Sequence, residues 1–114
     1  MNNGDIVTLY VAFTQGRGGK RRPVFIIERE DGKVRFFPIT SQYENKSESI
    51  KRKYVEIQDW VETGLKKRSW IDSGTVKEIP EDSIQWRKVG ILSDRDLRNL
   101  ENHLMDRNKE SSGG

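Results

Sequence analysis

The sequence predicts an all-β small barrel with a C-terminal helix and one short helix between strands. Three observations carry this. Short runs of β-branched and aromatic residues recur along most of the chain, turn residues separate them at close intervals, and leucines at helical spacing occur near the end. At 114 residues, length suits one domain, assigned to residues 1–108, with the polar 109–114, Lys-Glu-Ser-Ser-Gly-Gly, expected to be a disordered tail.

Residues 5–13 alternate, with Val7, Leu9, Val11 and Phe13 on one side and Thr8, Tyr10 and Ala12 on the other, the period of a strand. After the glycine-rich 16–19, residues 23–27 (Pro-Val-Phe-Ile-Ile) form an apolar run too short for a stable helix, and Asp31-Gly32 marks a hairpin turn. Residues 33–39 make the returning strand, in which Pro38 belongs near an end or an edge because it has no N–H to donate. Residues 42–53 are polar without period and read as a mobile loop. A short strand is expected over 54–57, and Asp59 and Gly64 bracket one or two helical turns. Further strands follow over 69–72, 75–79 and 84–89. Ser93 is a good N-cap with Asp96 three residues on, Leu92 can staple onto Leu97, and Leu97, Leu100 and Leu104 form a helical stripe.

Composition narrows the chemistry. There is no cysteine, which removes disulfides, thiolate metal sites and cysteine nucleophiles, and His103 is the single histidine. Acid–base work would fall to Arg, Lys, Asp, Glu, Tyr or hydroxyl groups. His103 lies near the leucine stripe, where a structural role is expected, and no His/Asp/Glu cluster has metal-ligand spacing, so neither metal nor cofactor is expected. No apolar run approaches the ~20 residues of a membrane span, and the N-terminus lacks a basic segment followed by an apolar one, so the expected compartment is the cytoplasm.

The formal net charge is +3, unevenly spread: residues 1–68 carry +5 and residues 69–114 carry −2. The excess gathers in Arg17, Lys20, Arg21 and Arg22, in Lys46, Lys51, Arg52 and Lys53, and in Lys66, Lys67 and Arg68, three clusters that together suit a phosphate-binding surface and singly suit solvated loops. Gly16-Arg-Gly-Gly-Lys-Arg-Arg-Pro23 lacks the Ser or Thr and the following helix of a nucleotide-hydrolysing phosphate loop. Arg22 differs from its neighbours because a residue before proline is biased to extended backbone, which projects it from a strand mouth. Thr40, Ser41 and Gln42 offer two hydroxyls and an amide where an antiparallel chain returns near that mouth, although hydroxyls there also cap turns. Asp72, before Ser73-Gly74, is either a partly shielded carboxylate or a turn former.

Five segments, Gly4-Asp-Ile-Val7, Lys20-Arg-Arg-Pro-Val-Phe-Ile-Ile27, Pro38-Ile-Thr-Ser-Gln42, Trp70-Ile-Asp72 and Ile91-Leu-Ser-Asp-Arg-Asp-Leu97, together resemble the MazF/PemK family of toxins from type II toxin–antitoxin pairs. The resemblance implies an SH3-like barrel of the MazF/PemK/CcdB kind, a homodimer, and a metal-independent endoribonuclease that cuts single-stranded RNA and is silenced by a cognate antitoxin. By position it implies that Arg22, Thr40 and Asp72 are catalytic. In one branch of the family an Arg stands two residues before the acidic position; here that place holds Trp70, which shifts the burden to Arg22. RNA contacts are expected from Arg17, Lys20, Arg21, Ser41, Gln42, Lys51, Arg52 and Lys53. The competing class is a non-catalytic SH3-like module that binds nucleic acid or protein, since one small barrel hosts many functions.

Overall fold

The apolar runs become strands in the computed structural model, which describes residues 1–11 and 21–112. In chain order these are β1 (Asp5–Val11), β2 (Arg22–Glu30), β3 (Lys33–Thr40), β4 (Tyr54–Ile57), β5 (Ser69–Asp72), β6 (Lys77–Pro80) and β7 (Ile84–Ile91). Among the described residues three α-helices accompany them, α1 (Glu48–Lys51), α2 (Trp60–Thr63) and α3 (Asp94–Ser112), with a 3-10 turn over Glu81–Ser83. Ala12, Phe13, the glycine-rich 16–19, Arg17 and Lys20 lie outside the described residues.

Pairing is antiparallel throughout, in the order β4-β5-β3-β2-β1-β7, with β6 also on β3. Among the described residues no ladder joins β7 to β4, so this is an incompletely closed barrel. The β2–β3 hairpin turns on Asp31 (φ 54°) and Gly32 (φ 72°), and left-handed backbone at both places is what a tight Asp-Gly turn requires. On its far side β3 changes partner, from β6 along Lys33–Phe36 to β5 at Ile39 and Thr40. Pro38 sits in the interval, next to the pair Ile39↔Ile71, where the missing N–H interrupts no ladder on that side.

Both faces of the central strands are buried, which explains why β2 and β3 read as continuous apolar runs rather than alternations. Val7, Leu9, Val24, Ile26, Val34 and Phe36 form one core. Ile6, Phe25, Phe37, Ile39, Val55, Ile57, Ile71, Leu92 and Leu100 form the other, with Trp60, Leu65, Val89, Leu97 and Leu104 packed on it. The adjacent Ile6 and Val7 are both fully buried, one in each core. Between them the register against β7 shifts by a bulge. At Gly90, opposite Ile6, a Cβ would stand 2.2 Å from the Thr63 carbonyl oxygen, so only glycine lets α2 approach β7 this closely.

The start of α3 is fixed by polar contacts. Ser93 caps it as expected, its Oγ accepting from Asp96 N at 3.2 Å, and Leu92 and Leu97 share a core. Asp96 does not reach back as a capping-box partner. Its carboxylate, in a residue 1% exposed, instead accepts from Gln58 N (2.9 Å) and Asp59 N (2.8 Å), tying the helix to the start of α2. Asp59, the residue before α2, does not cap that helix with its side chain; it accepts from the Arg95 guanidinium and from Ser93 Oγ (2.6 Å).

Those contacts with Arg95 and Ser93 hold the Asp59 carboxyl below its ordinary value. A carboxyl lowered in the folded state stabilises above its unfolded pKa of about 3.9 and loses that contribution as pH falls through the lower folded value. Asp59→Asn is therefore expected to lower the melting temperature at pH 7, with a deficit that shrinks toward pH 3 in melts followed by circular dichroism.

Two local expectations are corrected. The segment 42–53 contains α1, because Ser47 caps it by accepting from Ile50 N (3.4 Å) with Glu48 in the first turn and Lys51 in the last. The helix α3 continues to Ser112, four residues into the expected tail, where Lys109 and Glu110 favour helix.

Candidate active site

Arg22 opens β2 and is exposed, paired through its backbone with Leu9 of β1. The β2–β3 register runs through Val24↔Pro38, and continued two residues it sets Arg22 opposite Thr40. Thr40 in turn pairs with Trp70 of β5, and Trp70 with Glu56 of β4. Residues directly opposite one another in antiparallel strands project on the same face, so Arg22, Thr40 and Trp70 form one row across three strands. The guanidinium carries a permanent charge in a forked donor geometry suited to phosphate. Thr40 Oγ1 accepts from Gln42 N at 3.0 Å. That bond occupies a lone pair and leaves the hydroxyl proton free to donate outward.

Asp72 lies two residues from Trp70, on the same face and opposite Tyr54. Its Oδ1 accepts from Gly74 N at 3.1 Å, so it makes the turn contact that Asp-Ser-Gly suggested. Burial, and then the negative charge of Asp72, push the Tyr54 hydroxyl pKa above its ordinary value. Behind Asp72, Ser73 is doubly fastened: its N and Oγ donate to Lys53 O at 2.9 and 2.6 Å, and Arg107 of α3 donates to Ser73 O (2.9 Å) and Oγ (3.1 Å).

Of the residues expected to contact phosphate, Arg21, Ser41, Gln42, Arg52 and Lys53 are exposed, and Lys51 is half-buried. Lys51 Nζ stands 4.9 Å over the Tyr43 ring. That ring stacks on Trp70 with centroids 4.7 Å apart and planes 7° apart, and Tyr54 lies tilted beside it at 6.3 Å. Arg68 covers Trp70 at 5.3 Å while donating to Glu56 at 2.9 Å. Trp70 stands in one of the segments that resemble the family, but its spacing in the sequence does not connect it with Tyr43 and Tyr54. The available signal was aromatic residues interleaved with the basic segments 46–53 and 66–68. Among the described residues no group of His, Asp or Glu side chains is placed to hold a metal ion, and no helix is long and apolar enough to cross a membrane.

The fold is similar to that of solved toxins at low sequence identity. The Mycobacterium tuberculosis toxin MazF-mt6 superposes with a TM-score of 0.64 at 20% identity, covering 90% of this chain and 93% of its own. MazF in the MazE-MazF complex (Form-II) from Deinococcus radiodurans gives 0.65 at 16% identity, over 91% and 90%. An endoribonuclease in complex with its cognate antitoxin from a Mycobacterial species gives 0.65 at 10% identity, over 91% and 90%. No curated protein sequence matches the chain significantly. A family profile matches residues 2–106, nearly the whole chain, and by that match the chain belongs to the PemK-like, MazF-like toxins of type II toxin-antitoxin systems.

Proposed function

We propose that this toxin is an endoribonuclease that cuts single-stranded RNA at a short sequence motif without a metal ion, acts as a homodimer in the cytoplasm, and is neutralised by a cognate antitoxin protein. The observation that carries the reading is the row in which Arg22 and Thr40 stand on one face at the ends of β2 and β3. The reaction consistent with it is internal. The RNA 2′-oxygen attacks the adjacent phosphorus as its proton passes to solvent water, the bond from phosphorus to the 5′-oxygen breaks, and that oxygen takes up a proton from water, so the products are a 2′,3′-cyclic phosphate and a 5′-hydroxyl. The protein's task is then to hold the strand for in-line attack and to stabilise charge growing on the phosphate oxygens. Arg22 does this with two parallel donors and Thr40 with one. The exposed Arg21, Ser41, Gln42, Arg52 and Lys53, with Arg17 and Lys20, position the neighbouring phosphates.

Single-stranded RNA incubated with the purified protein in EDTA is expected to be cut, leaving cyclic phosphate and 5′-hydroxyl ends. A requirement for Mg²⁺ with 5′-phosphate products would overturn the mechanism, and binding without cleavage would make the chain a binding module. Light scattering on the same preparation should give twice the 13.3 kDa chain mass.

A further inference from the structure

The stack beside Thr40 has a layered order that the cleavage reaction itself does not need. The Tyr43 and Trp70 rings are nearly parallel at 4.7 Å, so each occupies one face of the other. Each ring leaves its other face for a cation, and the distances fit Lys51 Nζ, 4.9 Å over Tyr43, and Arg68, 5.3 Å over Trp70, on those outer faces. The layers therefore run Lys51, Tyr43, Trp70, Arg68. Their two ends differ. Arg68 is tied to Glu56 by a 2.9 Å ion pair, whereas Lys51 makes no ion pair among the described residues and reaches the ring on a flexible stem from α1. Trp70 is buried and Tyr43 half-buried, so the outward-facing ring is that of Tyr43.

We infer that Tyr43 is a nucleobase-stacking platform: a base of the RNA, by preference a purine, takes the place of Lys51 on the free face of Tyr43. This rests on the proposed RNA substrate and adds a specificity-determining residue to it. Trp70 pairs with Thr40, so the platform holds a nucleotide close to the scissile phosphate. The displaced Lys51 ammonium then stands beside a strand of negative phosphates, where its charge is better matched than on an aromatic ring. A purine offers the larger π surface, which makes the preference one of stacking strength.

Octamers of 2′-O-methyl adenosine and 2′-O-methyl uridine, which bind but cannot be cut, test this by fluorescence anisotropy at one fixed salt concentration. Wild type is expected to favour the adenosine octamer. Tyr43→Leu, which keeps an apolar cover on Trp70 but removes the ring, should weaken adenosine binding about 5- to 100-fold and erase the preference, while Tyr43→Phe stays within about twofold of wild type. A ring that only seals Trp70 would give a different pattern: Tyr43→Leu would lower the melting temperature and leave the base preference intact, which overturns the inference. Equal losses for both octamers, or no binding by wild type, also overturn it. Wild type that shows the preference yet leaves unmodified RNA intact would sink the nuclease reading alone.

Discussion

Arg22→Ala is expected to reduce RNA cleavage by about 10³-fold or more, the scale associated with an arginine that stabilises transferring phosphate. The loss should fall on kcat, because the guanidinium meets charge that develops only as the phosphorane forms. Arg22→Lys is expected to recover little, since an ammonium is a point charge without the paired donors that bridge two phosphate oxygens. The fold should be unaffected. Arg22 is exposed, and its contribution to the β1–β2 ladder comes from the backbone, which both substitutions keep. Single-turnover cleavage in EDTA beside a thermal melt separates the two effects, and wild-type cleavage by Arg22→Ala would remove Arg22 from the mechanism.

Thr40 carries the second large effect. Its oxygen is held by the Gln42 N–H at 3.0 Å, which leaves the hydroxyl proton available to donate to substrate. Thr40→Ala should cost about 10²–10³-fold in kcat, as for deletion of one transition-state donor. Thr40→Val should cost as much because it keeps the shape and loses the donor, and Thr40→Ser should restore most of the rate. If Thr40→Val cleaves like wild type, the hydroxyl only caps the turn at the end of β3.

The elements with strong local signals were legible in the sequence. Asp31-Gly32 demanded its turn, the β-branched runs demanded strands, and Ser93 with the leucine stripe announced α3. What the sequence hid depends on contacts between residues far apart in the chain. Asp96 looked like half of a capping box because its partners, the amides of Gln58 and Asp59, lie 38 and 37 positions away. The small helix α1 is not legible because four residues without a buried side chain leave no periodicity to read. Arg22 and Thr40 could be picked out one at a time, from the proline beside the first and the strand end before the second. Their alignment in one row needed the register. The Tyr43–Trp70 stack was harder still, since it joins a polar segment to a strand 27 residues later.

The pairing of β1 with β7 bears on how the toxin is made. Asp5 to Val11 leaves the ribosome well before its partner Ile84 to Ile91. At about 5–20 residues per second, translation needs several seconds to travel from the end of β2 to the end of β7. During that interval β1 can pair with β2 but presents an open edge on its other side, and Leu92 and Leu100 have not arrived to complete the larger core. A chain that stops short of β7 therefore carries Arg22 and Thr40 on a sheet whose β1 edge is open and whose larger core is incomplete.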